Sequence, residues 1–193
     1  MTERKQRILV AAAILLVGLA GVAILAAVSG TAAKKTINPI IGSGHMKITS
    51  PQFEQDGAIP ARYTCDGENI NPPLRVSGVP EEARTLALIV DDPDAAAGAW
   101  THWTVWNIPA ADIVEIGEKS VPGGAVEGLT DFGRAGYGGP CPPSGEHRYF
   151  FQAYALDAEL ELTAAAGVKE LEAAMRDHIL DKAGLIGVYR RQP

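Results

Sequence analysis

A chain of 193 residues, 47% hydrophobic, with a net charge of −6 has room for one sizeable domain and a short extra segment, but not for two full domains. The charge is unevenly spread: from Met46 onward the chain keeps 12 of its 17 Lys and Arg but 22 of its 23 Asp and Glu, a local net charge of −10. A domain so acidic excludes nucleic acid as a partner, because that affinity comes from cations that neutralise phosphates, and it is repelled by anionic lipid surfaces.

The extra segment is at the front. Three Lys and Arg residues in MTERKQR precede Ile8–Ser29, 22 residues without a charge. Roughly 20 apolar residues cross a bilayer, whereas the apolar core of a cleavable signal is about 7–15 residues long. The run length favours a retained transmembrane helix within residues 1–31, although Ala27-Val28-Ser29 offers a cleavage site. Basic residues before the span place the N-terminus inside and the rest outside, in the cell membrane, or secreted if the segment is cleaved. Residues 32–45, mixed and Gly/Ser-bearing, read as a linker, and residues 46–193 as the domain.

Within the domain, Ala83–Val90 is a nearly continuous apolar run stopped at Asp91-Asp92-Pro93, which predicts a central strand. Trp100–Ile108 alternates, which predicts a strand with Trp100, His102, Thr104 and Trp106 on one face. His147–Leu156 alternates likewise, with His147, Tyr149, Phe151 and Ala153 together. The loops between these strands are too short for crossover helices, so antiparallel pairing follows. Apolar residues at Val168, Leu171, Met175 and Ile179 predict a helix to about Lys182, with Gly184 as its stop. GLIGVYRR then reads as a closing strand. The class is mainly β with a late helix.

Two cysteines, Cys65 and Cys141, permit a disulfide in an exported domain, or stand as two separate small thiols. If the three strands are neighbours, Asp92, His102, His147 and Tyr149 meet beside the loop GYGGPCPP. Imidazole and phenol donate hydrogen bonds, and the free amides of a Gly-rich loop form an anion-binding nest. Prolines stiffen that loop, so little ordering entropy is lost on binding. Asp92 facing an imidazole fixes its tautomer.

The motifs DDPDA, WTHWTVWNI and GYGGPCPPSGEHRY, together with KITSPQF, TCDGENINPPL and LIGVYRR, resemble the phosphatidylethanolamine-binding protein family. The likeness is to its bacterial and archaeal, Raf-kinase-inhibitor-like branch, and it covers Met46 to Arg191. It implies an antiparallel two-sheet β-sandwich with flanking helices. It also implies a small cavity for phosphate-like or carboxylate groups, including phospholipid head groups. By motif position the ligand-binding residues would be Asp92, His102, Cys141, Pro142, Pro143, His147 and Tyr149. The chain departs from the pattern at Ala96, where a proline is usual, in the short Ser-Gly-Glu segment after Pro143, and in the membrane span.

Plainer roles compete at each position. His102 among tryptophans reads as a core histidine when taken alone. Asp94 reads as a turn cap, Trp100, Trp103 and Trp106 as core, His45, His178 and Glu81-Glu82 as solvent-facing, and Arg148 as pointing away from the site. Three function classes follow. The first is a non-catalytic module holding a small phosphorylated or carboxylate ligand, with no metal and no cofactor. The second is an inhibitor or adaptor that grips an envelope protein or protease through the pocket mouth. The third is a hydrolase, using zinc on Asp92, His102 and His147 or using Cys141 as nucleophile with His147 as base.

Overall fold

The computed structural model describes residues 44–191. The expected membrane span at Ile8–Ser29 and nearly all of the linker lie outside the described residues, and among the described residues no helix is long and apolar enough to cross a membrane. Among the described residues, nine strands form two sheets. β1 (Lys47–Thr49), β3 (Leu74–Ser77) and β6 (Ile113–Ile116) make a three-stranded sheet in the order β1-β3-β6. β2 (Gly57–Ala58), β4 (Thr85–Asp92), β5 (Trp100–Pro109), β7 (Val126–Glu127), β8 (Glu146–Leu156) and β9 (Ile179–Arg190) make a six-stranded sheet in the order β2-β9-β8-β4-β5-β7. Every pairing is antiparallel except the two-residue contact of β2 with β9.

The six-stranded sheet is covered on both faces, which explains why β4 reads as continuous hydrophobics rather than as alternation. Leu86, Leu88 and Val90 face the small sheet, packing with Ile48, Leu74, Val76, Val114 and Ile116. Ala87 and Ile89 face the opposite way, under Leu160, Ala166, Leu171 and Met175. Those last two belong to α1 (Val168–Met175), whose first turn is closed by the Glu170 carboxylate accepting the Gly167 N–H at 3.1 Å. Apart from one 3₁₀ turn at Ala61–Tyr63, α1 is the only helix among the described residues, so a single flanking α-helix replaces the several that were expected.

Two sequence expectations are corrected here. The predicted helix to Lys182 stops at Met175, because Ile179, Asp181 and Lys182 pair with Leu156, Ala155 and Tyr154 of β8. Ile179 fits the helical period in sequence, yet on β9 it is 39% exposed; pairing along an existing strand outweighs one more turn of a short helix. The single face proposed for Trp100, His102, Thr104 and Trp106 is also broken. Leu86 pairs with Ile108 but Leu88 with Val105, and Val90 pairs with Trp103 but Asp91 with Thr101. Each shift inserts one extra residue into β5, a β-bulge that re-aims side chains. As a result Ile108 joins Trp103 and Val105 in the inter-sheet core, His102 turns to Tyr149 on that same face, and Trp106 enters the cluster under α1. Asn107 takes the left-handed conformation of the first bulge (φ 55°). Its amide exchanges two hydrogen bonds with the Leu160 backbone, at 2.8 and 2.9 Å, and ties down the segment that leads to α1.

Asp91 points to this α1 side. Gln152 donates to it at 3.3 Å, and burial, reinforced by Asp92 and Glu172, raises its pKa to about 6. A carboxyl whose folded pKa is raised favours the folded state at low pH and loses that contribution as pH rises through the folded value. Asp91→Asn is therefore expected to stabilise the domain by about 2 kcal/mol at pH 8, with the gain vanishing near pH 4, in urea unfolding at both pH values.

Candidate functional site

The site forms where β8, β4 and β5 end side by side, with β4 in the middle. Alternation on β8 puts His147 and Tyr149 on the core face, and the same face of β4 ends in Asp92, which is 4% exposed. The Asp92 carboxylate uses both oxygens: Oδ1 accepts the Asp94 N–H at 2.8 Å, and Oδ2 accepts Nδ1–H of His147 at 2.7 Å. The pair is largely withdrawn from water, with side-chain exposures of 6% and 12%. Because the carboxylate can only accept, His147 carries its proton on Nδ1 and turns Nε2 away from Asp92.

His102 arrives by way of the second bulge. It is the extra residue between the pairs Val90–Trp103 and Asp91–Thr101, so it has no partner on β4. Its ring meets Tyr149 edge-on, with centroids 5.2 Å apart. Nδ1 donates to the Gly138 carbonyl at 2.6 Å, and the Gly138 N–H returns a bond to the His102 carbonyl at 2.9 Å. Burial lowers the pKa of this imidazole, opposed by the Gly138 carbonyl and the charge of Asp92. The resting ring is therefore the neutral Nδ1–H form, with a bare Nε2. Tyr149 is fully buried and its hydroxyl has no hydrogen-bond partner. Burial, and then the Asp92 charge, push its pKa well up, so it remains a donor.

Asp92, His102, His147 and Tyr149 thus come together, with one correction to the loop. The Gly138 amide is spent on His102 and the Gly139 amide on Asn69 Oδ1 at 2.7 Å, so the expected nest of free glycine amides is absent. Prolines occupy 140, 142 and 143, which leaves Cys141 N–H as the one amide of Gly138–Pro143 able to face a ligand. Pro142 is buried, whereas Cys141 and Pro143 are exposed. Cys141 is bonded to Cys65, with the Cα atoms 5.4 Å apart, and Cys65 N–H also donates to the Pro140 carbonyl. Across a sequence separation of 76 residues, chain-entropy reasoning gives such a bridge about 4.5 kcal/mol. A bonded sulfur has no thiolate, so the Cys141 nucleophile is ruled out. Among the described residues no three His, Cys, Asp or Glu side chains converge as metal ligands, and Asp92, His102 and His147 do not form the zinc set.

Arg148, Asp94 and Trp100 do more than the sequence reading gave them, and Phe132 escaped it altogether. Arg148 does point to the opposite face of β8 from Tyr149, but it is bidentate on Asp94 at 2.6 and 2.8 Å, and its backbone N–H adds a third bond. Asp94 is therefore a clamp between β8 and the β4–β5 loop, while Asp92 caps the turn. Phe132, 40% exposed, packs edge-on to both His102 (5.3 Å) and Trp100 (5.6 Å). Trp100 is accordingly half-buried at the mouth, unlike the fully buried Trp103 and Trp106. Only DFG in the loop sequence could have pointed to Phe132, and nothing in it marks a partner for His102.

With this geometry in view, the likeness to known proteins is specific. The family model described as phosphatidylethanolamine-binding protein matches residues 49–190. The chain belongs to the phosphatidylethanolamine-binding protein family. It is 52% identical to a UPF0098 protein of Methanothermobacter thermautotrophicus, over 76% of this chain and 99% of the relative. It is 43% identical to a UPF0098 protein of Aquifex aeolicus, over 78% and 91%. Among solved structures, a putative phosphatidylethanolamine-binding protein homologue from Chlamydia trachomatis superposes with a TM-score of 0.72 at 40% identity, covering 78% of this chain and all of that one. Escherichia coli YbcL, a family member, superposes with a TM-score of 0.71 at 31% identity, covering 76% and 99%.

The neutral state of His102 has a measurable consequence. A histidine whose folded pKa is lowered stabilises the fold above its unfolded value of about 6.5 and loses that contribution as pH falls toward the folded value. His102→Gln keeps an N–H for the Gly138 carbonyl but cannot titrate. The stability advantage of the natural protein over this variant is expected to shrink steadily from pH 8 to pH 5 in chemical denaturation; an advantage that grows on acidification would show that the ring is held charged.

Proposed function

We propose that this member of the family is a binding protein that holds a small phosphate- or carboxylate-bearing ligand, of phospholipid head-group type, between His102, His147 and Tyr149, with Asp92 as orienter. The observation that carries the reading is the Tyr149 hydroxyl, fully buried beside the His102 ring and close to Asp92 and Cys141, yet without a well-formed hydrogen bond. A buried donor left unmet costs about 1–3 kcal/mol, and a ligand oxygen placed there recovers it. On this reading Cys141, Pro142 and Pro143 supply the remaining wall. Protonation of His102 on entry of the anion adds an Nε2–H donor, so binding and proton uptake are linked. No step of catalysis is proposed: the histidines lack a metal set, and the cysteine lacks a thiolate.

The apolar run Ile8–Ser29 supports an exported, membrane-anchored placement with the domain outside, and the Cys65–Cys141 bridge agrees with an oxidising compartment. A second reading keeps the same pocket but fills it with an acidic group of an envelope protein. The exposed Phe132 beside the mouth favours it, because an apolar rim next to an anion site suits a protein surface.

Sulfate stays a dianion between pH 5.5 and 8, so it isolates the protein's own titration. It is expected to raise the melting temperature of the full-length protein, and more at pH 5.5 than at pH 8. Tyr149→Phe should weaken binding about tenfold, and His102→Ala/His147→Ala should abolish the effect. Mass spectrometry of small molecules released from the purified protein should find a phosphorylated or carboxylate species missing from the double variant. Sulfate protection equal in all variants would remove the pocket assignment.

A further inference from the structure

A second cleft, of about 300 Å³, lies within the domain and is lined in part by Asn69, Asn71, Lys119, Glu127, Gly136 and Tyr137. It is separated from the anion site by the chain itself. Tyr137 lines the cleft, whereas the next residue, Gly138, is bonded to His102. The cleft holds one carboxylate and one ammonium. Glu127, half-buried on β7, accepts the indole N–H of the fully buried Trp103 at 2.7 Å through Oε1. Its carboxylate also approaches Gly136, where an added Cβ would lie 3.6 and 3.9 Å from the two oxygens. Lys119 stands on the exposed rim. Neither Glu127 nor Lys119 forms an ion pair with any described residue, and they do not pair with each other.

Two features fix the backbone that carries Lys119 and the carboxylate of Glu127. Of the four non-glycine residues with positive φ among the described residues, Asn69 (57°) and Lys119 (54°) both line this cleft, and Gly136 adds a third left-handed position (90°). Left-handed backbone at ordinary residues is held only where its surroundings require it. The surroundings here are specific: Asn69 Oδ1 takes the Gly139 amide, the Lys119 N–H donates to the Asn71 carbonyl, and the Asn71 side-chain amide spans Gly117 and Ser120. The carboxylate is set against a rigid aromatic corner, where Tyr137 meets Trp103 edge-on at 5.6 Å and anchors its hydroxyl on the Tyr63 carbonyl.

We propose that this cleft is a second binding site, for a small zwitterion of the free amino-acid class. Glu127 receives the ammonium group and Lys119 the carboxylate, and Tyr137 flanks the side chain. A half-buried carboxylate gains from a cation brought into its low-dielectric corner, and a ligand with both charges satisfies both residues at once. At the lower end of ligand-pocket volumes, the cleft fits one amino acid and not a folded segment. The inference stands on residues outside the anion pocket and does not depend on that reading.

The test is equilibrium dialysis of the full-length protein against a mixture of the twenty L-amino acids, with the retained species read by mass spectrometry. The best-retained amino acid is then titrated. At least one should be retained at millimolar concentration and should move the Trp103 indole ¹H–¹⁵N signal. Glu127→Gln, which keeps the acceptor for Trp103, and Lys119→Gln, on the exposed rim, should each weaken it at least tenfold with melting temperature unchanged. Propylamine and propionate, carrying one charge each, should bind at least tenfold more weakly. His147→Ala, which leaves the His102–Gly138 bonds in place, should leave retention intact. No retained amino acid, retention indifferent to both cleft variants, or retention lost with His147→Ala would overturn the proposal.

Discussion

The site depends on one buried carboxylate at the end of a strand. Asp92 has almost no water to solvate it, so its charge is supported by the two donors it accepts: the Asp94 amide, which turns the chain out of β4, and Nδ1–H of His147 on the neighbouring β8. Those two bonds link the direction of the loop to the tautomer of the imidazole. Removing the carboxylate would release both at once, whereas removing Arg148 would loosen only the outer clamp on Asp94. Charge-assisted bonds at a buried position are the ones that hold geometry against thermal motion.

Around that anchor the chain spends its glycines and prolines on structure rather than on ligand contact. The segment Gly136–Pro143 is fastened at His102, Asn69 and Cys65, the last through both a backbone bond and the disulfide. Its Gly138 reaches the His102 ring, while its Gly136 and Tyr137 line the Glu127 cleft. Every amide it commits to these fastenings is one fewer for an anion. On the proposed reading, binding then falls to side-chain donors, and affinity rises as the histidines take up protons.

The large sheet was legible in the sequence because its three central strands carry long apolar or alternating runs bounded by proline and glycine. Asp92, His147 and Tyr149 could be placed from period two alone. His102 could be named but not aimed: the bulges at His102 and Asn107 leave no clear mark in a run such as WTHWTVWNI, and each one shifts the faces by a residue. The strands of the small sheet, only three or four residues long, are too short to show a period. Ile179 satisfied a helical frame in sequence, but its place was decided by the free edge of β8, which no local pattern reports. The glycine loop promised free amides from composition, and only the three-dimensional accounting of donors showed them taken.

The central claim is that both imidazoles are held with their protons on Nδ1, by Asp92 and by the Gly138 carbonyl, so that their Nε2 atoms are free for a ligand. Long-range ¹H–¹⁵N correlation NMR of the ligand-free protein near pH 7.5 reads this directly. The account predicts that His102 shows the Nδ1–H, bare-Nε2 pattern that is the minor form in water, and that Nδ1 of His147 is protonated. Finding Nδ1 unprotonated in either ring, with the proton on Nε2, would contradict it.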